Sequence, residues 1–110
     1  MDDTGYQQLA TQILRQVEDL FEDIDAEDID YERSGDVLTL TFKSGKKCVL
    51  NTQRPTRQMW LAAGARAWHF SYNQESGTWV DDKGQNLELL AQIRSIVLEF
   101  SGLTLPASTP

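Results

Sequence analysis

The sequence predicts an α+β protein: a two-layer α/β sandwich, with two helices packed on one face of an antiparallel sheet of about six strands. Three observations predict it. Apolar residues recur at spacings of three and four near both ends of the chain, which is the helical period. Between about 29 and 80 apolar and polar residues alternate in short runs separated by glycine-containing turns, the pattern of an antiparallel meander. A sheet and two helices that are each apolar on one side bury those sides only against one another. The 110 residues are expected to form a single domain spanning 1–110, enough to bury roughly 65% of the surface that the unfolded chain exposes.

The first helix is expected over about 4–23. Thr4 with Gln7 three residues on resembles a capping box, and Tyr6, Leu9, Ala10, Ile13, Val17, Leu20 and Ile24 form the inner stripe. From Ile29 the period shortens. Ile29–Arg33 reads as a first strand and Ser34-Gly35-Asp36 as a turn. Val37–Phe42 is a second strand, with Leu38, Leu40 and Phe42 on one face and Thr39 and Thr41 on the other. Ser44-Gly45 turns the chain into a third strand, Lys47–Asn51, and Pro55 ends pairing beyond it. Gln58–Ala62 and Ala67–Tyr72 flank a loop at 63–65, and Thr78–Val80 is a short sixth strand before Asp82-Lys83-Gly84. The second helix is expected over about 86–100. Leu87, Leu90, Ile93, Val97 and Phe100 line it, Leu89, Ile96 and Leu98 widen the stripe, and Gly102 stops it. Leu103 and Leu105 are expected to fold back beside the helices, and the tail from about 106 to 110 to fray.

Charge is distributed unevenly. Residues 1–36 carry twelve acids against two bases, net −10, while residues 37–110 carry five acids against eight bases, net +3. The acids concentrate at Glu18, Asp19, Glu22, Asp23, Asp25, Glu27, Asp28, Asp30 and Glu32, with no Lys or Arg among residues 18–32. Leu20, Phe21, Ile24 and Ile29 are interspersed with them, so this is a folded surface crossing from helix end to strand. Local physics disfavours it. Like charges at i,i+4 each cost a few tenths of a kcal/mol, and the carbonyl end of a helix repels anions by roughly 0.3–1 kcal/mol per charge. A local rule broken without visible compensation points to function.

The bland reading of the acid run is a solvated face that aids solubility. The sharper one is a surface for cations and basic partners. Clustered carboxylates are hard oxygen donors, suited to Fe²⁺, Fe³⁺, Mn²⁺ or Ca²⁺ and poor at choosing among them. An EF-hand is excluded: counting from Asp23, the sixth position is Asp28 instead of Gly and the twelfth is Ser34 instead of Glu. Anionic balance disfavours nucleic acid and anionic membranes as partners. No run of about 18 apolar residues exists to span a bilayer, the first residues do not read as a signal peptide, and Cys48 is the one cysteine; together these predict a cytoplasmic protein. Cys48 reads as a small inward hydrophobe, since a nucleophile needs a positioned base. His69, the one histidine, alternates with Trp68 and Phe70 and is expected to face solvent. Trp60 shares strand parity with Gln58 on a sheet face that no other part of the chain covers, which makes it a candidate hot spot for a protein partner. No phosphate loop and no triad are present.

The order of elements, the acidic helix–strand edge, and Gly-Asp-Val-Leu-Thr-Leu-Thr-Phe at 35–42 resemble the frataxin family. So do Asn51-x-Gln53-x-Pro55-x-x-Gln58-x-Trp60-Leu61-Ala62, His69-Phe70 and Trp79-Val80-x-Asp82-x-Gly84. The likeness is strongest to the bacterial branch, called CyaY, and covers about Tyr6 to Phe100. It implies two helices on one side of an antiparallel sheet. It also implies weak binding of iron (Fe²⁺ or Fe³⁺) through an acidic ridge, and work in bacterial iron–sulfur cluster assembly in contact with a cysteine desulfurase and its scaffold protein. The resemblance implies modulation of the desulfurase, with delivery of iron through the ridge as a further use. Carried onto this chain, the ridge is Glu18, Asp19, Glu22, Asp23, Asp25, Glu27, Asp28, Asp30 and Glu32, and the partner-facing patch is Asn51, Gln53, Gln58 and Trp60. The chain is expected to be a monomer, with iron-dependent oligomers as a variant, and not an enzyme. A ferroxidase, or a plain acidic interaction domain with no metal role, are the alternatives.

Overall fold

The computed structural model describes residues 1–105. Elements follow in the order α1 (Asp3–Leu20), β1 (Ile29–Ser34), β2 (Val37–Phe42), β3 (Lys47–Gln53), a 3-10 turn (Arg54–Thr56), β4 (Gln58–Ala63), β5 (Arg66–Asn73), β6 (Thr78–Asp81) and α2 (Leu89–Ser101). The six strands form one sheet in sequential order β1-β2-β3-β4-β5-β6, every neighbour antiparallel. Both helices cover one face, and the expected α+β sandwich is the observed one.

Alternation decides which residues are buried. Leu38, Leu40, Phe42, Cys48, Leu50, Met59, Leu61, Phe70 and Trp79 point into the layer between sheet and helices. From above they meet Tyr6, Ala10, Ile13, Leu14 and Val17 of α1 and Leu89, Leu90, Ile93, Ile96 and Val97 of α2. Phe100 stacks edge-on against Phe42 with ring centroids 5.2 Å apart, and Leu105 folds back into the core. Leu98 does not widen the buried stripe of α2 as expected; it is 55% exposed. Burial in this apolar layer pushes the Cys48 thiol up to about 12, so it stays protonated. The expectation of a frayed tail at 106–110 lies outside the described residues.

The helix ends depart from the pattern for identifiable reasons. Asp2, not Thr4, caps α1: its Oδ1 accepts the Gly5 N–H at 2.7 Å, and the Thr4–Gln7 pair lies within the helix. At the other end α1 stops at Leu20, three residues early. Phe21 N–H and Glu22 N–H donate to the Glu18 and Asp19 carbonyls, and Ile24 N–H to the Phe21 carbonyl, so the chain tightens through three-residue turns. No base lies in the last helical turn to offset the acids there. Glu22 and Asp23 therefore follow the helix instead of belonging to it, and the expected i,i+4 repulsion with Glu18 and Asp19 is not intrahelical.

Helix α2 begins at Leu89, not at 86. Asn86 has a left-handed φ of 57°, and Glu88 caps the helix by accepting the N–H groups of Leu90 and Ala91. Residues between are held by Asp81, whose carboxylate accepts N–H groups from Lys83, Gln85 and Leu87. Burial raises the proton affinity of that carboxyl, but the N–H bonds outweigh it and hold Asp81 below the usual carboxylate range.

Candidate functional site

Strand β1 is one edge of the sheet, and α1 ends beside it. The eight-residue connection between Leu20 and Ile29 keeps the acid run on that edge. Asp19, Glu22, Asp23, Asp25, Glu27, Asp30 and Glu32 are exposed; Glu18 and Asp28 are half-buried. Their orientations differ. The register pairs Asp30 with Thr41 and Glu32 with Thr39, so these two acids stand on the open sheet face opposite hydroxyls and away from the helices. Glu18, Asp19 and Glu22 border a cleft on the helix side with Arg15 and Tyr31. The Asp25 carboxylate accepts the N–H of Glu27, and its carbonyl accepts those of Asp28 and Ile29. Asp25 thus shapes the loop that presents Glu27 and Asp28.

Arg33 lies on the helix-side face of β1 and bonds Glu18 at 2.8 Å, each side chain about a quarter exposed. One of the nine carboxylates is thereby neutralised from within the chain, which the absence of any Lys or Arg in 18–32 did not suggest. Among the described residues no three His, Cys, Asp or Glu side chains converge on a point that would hold a metal ion. The edge is a field of separate carboxylates in high dielectric, and its chemistry is weak, fast-exchanging attraction for cations.

The second surface is the uncovered sheet face, where the predicted patch is brought together. Gln53 stands opposite Gln58, and Asn51 opposite Trp60. The 3-10 turn Arg54–Thr56 and Arg57, in the left-handed region at φ 53°, fold the chain back tightly enough to set those pairs. Tyr6 fastens the same end from beneath. Its hydroxyl donates to the Gln58 carbonyl at 2.7 Å and accepts the Gln53 N–H at 3.0 Å, tying α1 to both strands. Burial raises the Tyr6 phenol above its ordinary value, opposed in part by the bond from Gln53.

His69 does face outward, as alternation predicts, but it is not an idle surface histidine. It pairs with Trp60 across β4 and β5, and the rings stack with centroids 4.2 Å apart at 14°. Its Nδ1 lies 3.7 Å from Asp82 Oδ2. Gln58 Nε2 donates to the same Asp82 oxygen at 3.0 Å and to Ser71 Oγ at 3.1 Å, while Trp60 Nε1 donates to Gln58 Oε1 at 3.0 Å. The role of Asp82 had a signal in the sequence: Trp79 inward, Val80 outward and Asp81 inward put Asp82 on the outer face.

The comparisons agree with this architecture. A family model described as a frataxin-like domain matches residues 1–99. The chain belongs to the frataxin family, in its bacterial CyaY-type branch. It is 38% identical over 102 residues to the iron-sulfur cluster assembly protein CyaY of Pseudomonas aeruginosa, covering 93% of each chain. Frataxin from Psychromonas ingrahamii superimposes with a TM-score of 0.86 at 33% identity over 96% of each chain. The trimeric frataxin of the yeast Saccharomyces cerevisiae, crystallised in complex with ferrous iron, matches with a TM-score of 0.67 at 24% identity over 94% of this chain and 88% of that one; at that identity it speaks for the fold alone. No helix among the described residues is long and apolar enough to cross a membrane.

Proposed function

We propose that this protein works in iron–sulfur cluster assembly as a binding protein. It holds iron weakly and transiently on its acidic edge and docks on a cysteine desulfurase and its scaffold, modulating that complex. The carrying observation is the edge itself: seven exposed carboxylates along the β1 edge of the sandwich, with two half-buried neighbours, of which Glu18 is paired to Arg33. Membership of the family and the name of the Pseudomonas relative support the assembly role. Iron is cargo or signal here, not a resident cofactor. Separate hard oxygen donors suit a cation that comes and goes. The same charge attracts a basic protein surface and speeds its approach. Trp60, Asn51, Gln53 and Gln58 form the second contact, a polar face with one aromatic anchor. Iron delivery through the edge and modulation of the desulfurase are two uses of one surface.

Anaerobic titration with Fe²⁺, followed by ¹H–¹⁵N NMR, tests the metal half. Broadening confined to residues 18–32 is expected. Broadening absent there, or centred on His69 and Asp82, contradicts it.

A further inference from the structure

We infer that Asp82 is the positioning residue of the Trp60 surface: its one carboxylate sets the indole from the ring edge and from the ring face together. This rests on the reading of Trp60 as a partner contact.

Two side chains share one oxygen of Asp82. Asp82 Oδ2 meets Gln58 Nε2 at 3.0 Å and His69 Nδ1 at 3.7 Å. A carboxylate only accepts, so it selects the donor end of the Gln58 amide. Ser71 Oγ, 3.1 Å from the same Nε2, occupies its other donor site. The acceptor end of Gln58 is thereby turned toward Trp60, and Oε1 takes the indole N–H at 3.0 Å. That is the route through the ring edge. The second route runs through His69, whose Nδ1 faces the same oxygen at 3.7 Å and whose ring lies flat on the indole with centroids 4.2 Å apart. Asp82 is held for this task by its own backbone, whose N–H donates to the His69 carbonyl at 2.9 Å.

The consequence is preorganisation. Trp60 is half-buried, and an unheld tryptophan at such a position samples several rotamers, so that ordering it on binding is unfavourable. Here the indole is already fixed by a hydrogen bond on one side and a stacked ring on the other, leaving its remaining surface for a partner. The five side chains come from β4, β5 and the turn after β6, so the arrangement exists only in the folded sheet. Asp82 itself is about one-third exposed, and its removal opens no cavity in the core.

The test uses the full chain labelled with 5-fluorotryptophan, the Trp60 resonance being assigned by Trp60→Phe. The variants are Asp82→Ala and Asp82→Asn, each measured for the Trp60 ¹⁹F signal, melting temperature and affinity for the cysteine desulfurase. Asp82→Ala is expected to shift and broaden the Trp60 signal and to weaken desulfurase binding roughly tenfold, the factor that 1.4 kcal/mol represents, with melting little changed. Asp82→Asn is expected to fall between, because a neutral acceptor bonds about half as strongly as a charged one. An unmoved Trp60 signal in Asp82→Ala overturns the inference, as does wild-type affinity in Asp82→Ala when Trp60→Ala does weaken binding. If Trp60→Ala itself binds like wild type while the Asp82 variants still shift the signal, the docking reading fails and the positioning role stands.

Discussion

Replacing Tyr6 by Phe removes a single oxygen and breaks two hydrogen bonds. The Gln58 carbonyl loses a donor at 2.7 Å and the Gln53 N–H loses an acceptor at 3.0 Å. The ring stays, and with it the packing against Trp79, whose centroid lies 6.3 Å away in an edge-on arrangement. No cavity opens, so the cost comes from the polar groups alone. Each bond contributes about 1 kcal/mol net, and a buried group left unpaired costs about 1–3 kcal/mol. Both partners are only partly buried, so water recovers some of this, and about 2 kcal/mol is expected. In a domain near 100 residues that corresponds to a fall of roughly 10 °C in melting temperature. The assay is urea unfolding at neutral pH alongside a melting curve, with an unchanged m-value as the sign that the denatured state is unaffected. The phenol adds a pH signature. Its folded pKa is raised, so its stabilising contribution is complete below the ordinary tyrosine value of about 10 and is lost as pH rises through the folded value. The Phe variant should therefore show a shallower alkaline loss of stability than wild type. A loss below about 0.5 kcal/mol would refute the assignment of Tyr6 as the tie between α1 and the β3–β4 end.

Two further outcomes follow from other groups. Asp81→Asn should lower the melting temperature by several degrees, because an amide oxygen accepts the Lys83, Gln85 and Leu87 N–H groups less well than a carboxylate. Asp81 has a depressed folded pKa, so wild-type stability from this group is present above the ordinary carboxylate value and is lost as pH falls through the folded one; the acid arm of the stability–pH curve should flatten in the variant. Added salt or Mn²⁺ should raise the melting temperature by screening or binding the acidic edge, and a curve indifferent to both would remove the claim that the edge strains the fold.

Most of the fold was legible because it depends on period. Alternation at 37–42 assigned Leu38, Leu40 and Phe42 to one face, Cys48 read as inward in a third strand that runs two residues past the expected Asn51, and Gly102, whose φ is a left-handed 73°, marked the end of α2. The helix ends were less legible, because they are set by groups that periodicity does not weigh. Acids without a compensating base tightened the end of α1, and the Asp81 carboxylate gathered the N–H groups that a longer α2 would have used. At the candidate site, the patch of Asn51, Gln53, Gln58 and Trp60 was readable from parity and the likeness to frataxins. Its supports were not. Tyr6 reaches Gln58 across 52 positions of sequence and Asp82 across 24, distances over which only the packed sheet specifies a partner. The pairing of Arg33 with Glu18 escaped for the same reason.

The central claim is that the acidic edge is a meeting surface for something positive. Reversing Asp19, Glu22 and Asp23 to Lys and measuring cysteine desulfurase affinity across a range of salt concentrations tests it most directly. These side chains are exposed, Asp19 at the end of α1 and Glu22 and Asp23 on the turn after it, so the core is untouched and the variant should fold. Its affinity should drop steeply at low salt, and the dependence on salt should flatten. Wild-type affinity with a wild-type salt slope would contradict the claim.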